Sequence, residues 1–300
     1  AALSVGMLSG VLSYAGQYAK PFNEISGVIS ELQSSAVGAN RIFALLDTEE
    51  EPSDEGGLII DGEGKVEIKD VYFSYDKSRE LIKDFNLSVE KGKHVAIVGP
   101  TGCGKTTLIN LLMRFYDVDE GEIDVDGINI KTATRKSLRD SYGMVLQESW
   151  IRKATVRENL TLGSDIPDEE ILKAAKICKS DGFISRMSKG LDTEISDESL
   201  SQGEKQLLCI TRVMLSKPRM LILDEATSAV DVMTEVKINK AFDLLMDGKT
   251  SFVVAHRLST IKHADLILVM KDGNVVDSGT HEELLNKGGF YKDLYYGSIV

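Results

Sequence analysis

Three hundred residues, 42% of them apolar, supply enough hydrophobic material for one large domain or two ordinary ones. A formal net charge of −12 excludes a basic surface that coats DNA or RNA, but not a nucleotide held locally by backbone N–H groups and one lysine. Cys103, Cys178 and Cys209 show no metal-ligand spacing and an odd count, and they read as reduced thiols in a cytosolic compartment.

The chain opens on Ala1, and an upstream continuation is expected. Its first segment, AALSVGMLSGVLSYAGQYA, is uncharged until Lys20, and no basic stretch precedes it as in a signal peptide. About nineteen residues of helix span roughly 28 Å, close to the hydrocarbon thickness of a bilayer. Gly6-x-x-x-Gly10 is a spacing that lets membrane helices approach closely, although a buried helix rich in Ala, Gly and Ser shares this composition. Beyond Pro21, the residues Ile25, Ile29, Leu32, Ala36, Ala39, Phe43 and Leu46 form an amphipathic stripe near the heptad period. Residues 1–46 are therefore expected to be a membrane helix extended into the cytoplasm. The stripe gives way to the acidic stretch 47–57, whose Pro52, Gly56 and Gly57 mark a solvated linker.

From residue 58 onward the texture changes. VEIKDVYFSY, HVAIVG, MLILD, SFVVAH and LILVM read as strands, and helical patterns follow Gly104 and Asp231. Such alternation predicts an α/β domain with a largely parallel sheet.

Gly99-Pro-Thr-Gly-Cys-Gly-Lys-Thr has the G-x-x-x-x-G-K-[ST] spacing, between an apolar strand and the helical LINLLMRF. In such a loop, glycines let backbone N–H groups curl around phosphate oxygens at a helix start. Gly99, Pro100, Thr101, Gly102, Cys103, Gly104, Lys105, Thr106 and Thr107 are thus expected to hold a nucleotide's phosphates. Lys105 would reach the β- and γ-phosphates, and Thr106 would ligate Mg2+. Met220-Leu-Ile-Leu-Asp-Glu ends an apolar strand on two carboxylates, with Asp224 expected on the metal side and Glu225 as general base for the attacking water. His256, at the end of the strand SFVVA, is expected to sense the γ-phosphate. Ser201-x-x-Glu204 before Leu207 and Leu208 is a capping box, which by itself is a structural device.

Taken together, these motifs resemble the nucleotide-binding domain of ATP-binding cassette (ABC) proteins over Leu58 to Val300. The resemblance implies a P-loop NTPase fold of the ABC type: a mixed, largely parallel core sheet, an antiparallel β subdomain and a helical subdomain over about 148–215. It implies that Tyr75 stacks on adenine and that Gln147 approaches Mg2+ and couples to the membrane domain. Leu200-Ser-Gln-Gly-Glu is similar to the family signature, and Ser228-Ala-Val-Asp to the loop after the catalytic glutamate, which brings Asp231 to the nucleotide. In this family two such domains stack head to tail, so Ser201 and Gly203 would face the γ-phosphate bound by a partner. Here Gln202 and Glu204 replace the usual glycine and glutamine, and Glu204 is expected to fold back onto the Ser201 N–H and point away from the phosphate.

The amino-terminal stretch ending Ala39-Asn-Arg-Ile-Phe-Ala-Leu-Leu-Asp, with Thr155-Val-Arg-Glu-Asn-Leu, resembles exporter-type half-transporters. That resemblance implies a cell-membrane, multi-pass exporter with a cytoplasmic ATPase, further transmembrane helices upstream, a second half-transporter as partner and no nucleic acid. A soluble ABC-type ATPase in DNA maintenance or translation and a non-hydrolysing nucleotide binder are the alternatives.

Overall fold

The computed structural model describes residues 4–77, 81–146, 149–224, 230–255 and 258–297. The chain divides into two compact units, Ala1–Ser53 and Asp54–Val300.

The first unit is one helix, α1 (Val5–Leu46), started by Ser4, whose side chain accepts the Met7 N–H at 3.3 Å. It runs through Pro21, which removes one helical donor without ending the helix. Its 42 residues rise roughly 63 Å, so length does not limit it. Among the described residues, no helix is long and apolar enough to cross a membrane. The cause is dilution. Gly6, Ser9, Gly10, Ser13, Gly16 and Gln17 interrupt the uncharged part, and Asn23, Glu24 and Glu31 share the rest with the apolar stripe.

The second unit begins with β1 (Val66–Phe73) and β2 (Ile82–Val89), an antiparallel pair in which Val66 faces Val89 and Ile68 faces Leu87. The next strand, β3 (His94–Val98), leads through the phosphate loop into α2 (Lys105–Leu112). After it come β4 (Glu120–Val125) and β5 (Ile128–Asn129), then α3 (Arg135–Ser141) and β6 (Tyr142–Val145). A helical portion follows: β7 (Ala154–Thr155), α4 (Val156–Thr161), α5 (Asp168–Ile177), α6 (Asp181–Ile184), β8 (Glu194–Ile195) and α7 (Gln202–Ser216). The chain closes with β9 (Met220–Asp224), α8 (Val232–Met246), β10 (Thr250–Val254), α9 (Leu258–His263), β11 (Leu266–Lys271), β12 (Asn274–Gly279), α10 (His281–Lys287) and α11 (Phe290–Tyr296).

The antiparallel sheet has the order β2-β1-β4-β5, and the core sheet β12-β11-β3-β10-β9-β6. Every described pairing in the core sheet is parallel except β11 with β12. The strands β3, β9 and β10 read as unbroken apolar runs because elements cover both faces of a parallel sheet. On one face, Leu108, Leu111 and Leu112 of α2 pack with Ile97, Ile222 and Phe252, in a cluster continuous with Val66 and Ile68 of the antiparallel sheet. On the other, Leu207 and Ile210 of α7 and Ile238 and Phe242 of α8 pack on Leu221, Leu223 and Val253.

The acidic stretch is not solvated throughout. Asp54 accepts the Arg135 N–H at 2.5 Å and its guanidinium at 2.7 Å, and Leu58 bonds the backbone of Thr132 and Thr134. An aspartate reads as a linker residue only until its distant arginine is known.

Candidate functional site

The phosphate loop forms where β3 leaves the sheet. A Cβ on Gly99 would stand 2.3 Å from the Met270 carbonyl and 2.7 Å from Cys103 Sγ, so no side chain fits there. Gly104 has φ +102° and is the residue from which α2 starts, a conformation that L side chains rarely adopt. Lys105 follows, 8% exposed, and its ammonium donates to the carbonyls of Gly99 at 2.7 Å and Pro100 at 3.0 Å. Among the described residues no carboxylate pairs with it. A buried cation without a counter-charge calls for an anion.

A cleft of about 360 Å3 opens on this lysine, lined by Leu81, Thr101, Gly102, Gly104, Lys105, Thr106, Thr107, Asp224 and Val254. The sheet order explains the company. In register, Ile97 of β3 pairs with Val254 of β10, and Val254 with Asp224 of β9, so these parallel strands deliver their carboxyl ends to one edge. The result gathers an ammonium, hydroxyls, a carboxylate and a helix start, a donor set suited to phosphate oxygens and a hard cation.

Gly99, Pro100 and Cys103 do not line the cleft but shape it from behind. Burial pushes the Cys103 thiol up, and its carbonyl accepts the Gly273 N–H at 3.0 Å. Gly273 belongs to a two-residue turn between β11 and β12, with Asp272 at φ 49° and Gly273 at φ 84°. A Cβ there would overlap the Leu81 carbonyl at 1.6 Å. This brace is missed by the sequence reading. Asp272-Gly273 announces a hairpin turn, but nothing in it points to a loop so far away in sequence.

Tyr75 is half-exposed and also lies outside the cleft lining. Its ring meets Phe73 and Tyr116 edge-on, each at 4.9 Å between centroids, and its hydroxyl accepts from Asn110 of α2 at 3.1 Å. Gln147, Glu225 and His256 lie outside the described residues. The strands that precede them, β6, β9 and β10, are neighbours in the core sheet.

Ser201 caps α7 as the capping box predicts. Its side chain accepts the Glu204 N–H at 3.4 Å, and the Glu204 carboxylate accepts the Ser201 N–H at 3.1 Å. Glu204 thus folds back onto the Ser201 N–H as expected, and the same carboxylate oxygen also accepts the Ser201 hydroxyl at 2.8 Å. Gly203 plays a packing role: a Cβ would come within 2.4 Å of Thr234 Cγ2 and 3.1 Å of Val230 Cγ1. Asp231, one turn before Thr234, caps α8 by accepting its N–H at 3.0 Å. Hydrogen bonds from the Thr234 side chain and N–H hold the Asp231 carboxyl below the usual range. Two groups result. Lys105, Thr106 and Asp224 share the cleft, while Ser201, Gly203 and Asp231 gather at the starts of α7 and α8.

Comparison with known proteins agrees with this geometry. The ABC transporter family matches residues 82–228. An uncharacterized ABC transporter ATP-binding protein, YfiC of Bacillus subtilis, is 44% identical over 98% of this chain and 49% of its own length. A fatty acid ABC transporter ATP-binding/permease protein of Mycobacterium bovis is 42% identical over 97% of this chain and 47% of its own. The chain thus spans about half the length of the curated relatives it matches. Among solved structures, a bacterial Atm1-family ABC exporter with ATP bound superposes with a TM-score of 0.78 at 35% identity, covering 99% of this chain and 53% of that one. With the phosphate loop, the core sheet and these likenesses in accord, the chain belongs to the ABC transporter family and carries that family's ATPase domain.

Proposed function

We propose that this chain is the ATP-hydrolysing part of an exporter, and that ATP binding between two such cassettes drives transport across the cell membrane. The observation that carries the reading is Lys105, a buried ammonium that pairs with no carboxylate among the described residues, in a cleft shared with Thr106 and Asp224. The triphosphate would lie along residues 99–107, with Lys105 on its β- and γ-phosphates and adenine against Tyr75. The Thr106 hydroxyl and the Asp224 carboxylate are hard oxygen donors on one cleft, a set that fits Mg2+, and Gln147 would join them. Bound there, Mg2+ would neutralise charge on the phosphates. Glu225 would take the proton of the attacking water, and His256 would contact the γ-phosphate.

Ser201, Gly203 and Asp231 would meet the nucleotide of a second half-transporter. The separation of their group from the cleft supports this reading, because residues of one sandwich contributed by two chains need not meet within one. Likeness to an ATP-binding/permease protein over 97% of the chain necessarily takes in most of α1, which favours a multi-pass exporter over a soluble ATPase. Phosphate release by the full-length protein tests the chemistry: Glu225→Gln is expected to keep ATP binding and lose turnover, and unchanged turnover refutes the assignment. Full-length protein that leaves carbonate-washed membranes would favour the soluble reading instead.

A further inference from the structure

We propose that Glu204 is a built-in competitor for Ser201, and that Arg186 is the positioning residue that draws it off. The inference rests on the proposed reading of Ser201 as a contact for the γ-phosphate held by a second cassette. One oxygen of Glu204, Oε2, accepts from both donors of Ser201, the hydroxyl at 2.8 Å and the N–H at 3.1 Å. A serine hydroxyl has one proton to give. While Glu204 holds it, none is left for a phosphate oxygen.

The other oxygen, Oε1, lies 3.7 Å from Arg186 Nη2. Arg186 is 75% exposed at its side chain, so the guanidinium can follow the carboxylate as it turns. The nearer cation in sequence, Lys205, cannot serve, because it is bound to Asp197 at 2.7 Å. Two arrangements follow. In one, seen here, the carboxylate sits on Ser201. In the other it swings onto Arg186 and frees both serine donors. An arriving phosphate favours the second, since two anions closed into one interface repel each other. Closure over ATP therefore works against Glu204, and Arg186 sets how strongly.

A glutamine at 204 keeps the cap, because its amide oxygen can accept the Ser201 N–H as the carboxylate does, but it carries no charge. The test is the ATP dependence of phosphate release by the full-length transporter in membranes. Glu204→Gln is expected to lower KM for ATP about tenfold, the scale of a hydrogen bond to a charged group, with a smaller change in kcat and an unchanged melting temperature. Arg186→Ala is expected to raise KM severalfold in the native background and to have no effect beside Glu204→Gln, while Arg186→Lys retains most of the native value. A purely structural Arg186 would shift both backgrounds equally, which overturns the proposal. So does a KM that Glu204→Gln leaves unchanged or raises, while Ser201→Ala in that background still weakens ATP use. If Ser201→Ala is silent in both backgrounds, the reading of Ser201 as a phosphate contact fails, and this inference falls with it.

Discussion

The phosphate loop and the start of α7 both lead into helix N-termini, yet their charges are opposite. At the loop, Lys105 is buried and donates to two carbonyls, with no carboxylate paired to it among the described residues. At α7, Glu204 already answers both donors of Ser201. A helix start is therefore not an anion site as such. What decides is whether the chain has supplied the anion itself. The cleft offers its ammonium to an incoming anion, whereas the α7 start must first give up the carboxylate it already holds.

The largest effect separates the two regions at once. Lys105→Ala is expected to weaken ATP binding about 100-fold, the upper range for hydrogen bonds to charged groups, in a titration with a fluorescent nucleotide. Binding that survives this change would mean that the cleft does not depend on its lysine, and the contrast with α7 would dissolve.

Packing gives the next effect. Gly203→Ala places a Cβ 2.4 Å from Thr234 Cγ2, and overpacking of this kind costs about 1–3 kcal/mol in chemical denaturation. Thr234→Ser removes the opposing methyl and is expected to return much of the loss. If it does not, Gly203 is needed for backbone access rather than for the fit of α7 against α8. The cap of α8 comes third. Asp231→Ala removes the acceptor of the Thr234 N–H and is expected to cost about 1 kcal/mol, with ATP affinity of the isolated cleft unchanged.

Much of this was legible in the sequence, for local reasons. The strands β3, β9, β10 and β11 are readable because burial on both faces demands continuous apolar runs. The spacing around Lys105 and the box Ser201-x-x-Glu204 are readable because each is one turn of backbone geometry. What is not legible is non-local. That β3 lies between β10 and β11, that Gly273 braces Cys103, and that Gly203 presses on Thr234 all depend on pairings between distant segments. The capping box shows the same boundary within four residues. Its backbone half follows from the pattern, but the second hydrogen bond, from hydroxyl to carboxylate, depends on a side-chain torsion that no spacing specifies. In α1, glycines and serines lower the mean hydropathy of the uncharged segment, and among the described residues no helix is long and apolar enough to cross a membrane.

The smallest effect extends the contrast to a carboxylate that is paired for structure alone. At Asp54, desolvation opposes ionisation, but the Arg135 N–H and guanidinium outweigh it and hold the carboxyl below the usual range. A folded-state value below the unfolded one means that the pair stabilises fully above the unfolded value, near pH 4, and is lost as pH falls through the folded value. Asp54→Asn removes this dependence. The stability difference between native and variant chains is therefore expected to be steady near neutrality and to shrink as pH drops from about 5 toward 3. A gap that stays constant across that range would show that the Asp54 contact works through its geometry and not its charge. Asp54 would then join the caps at Ser201 and Asp231 as a backbone anchor, and Glu204 would remain the carboxylate whose charge has a rival.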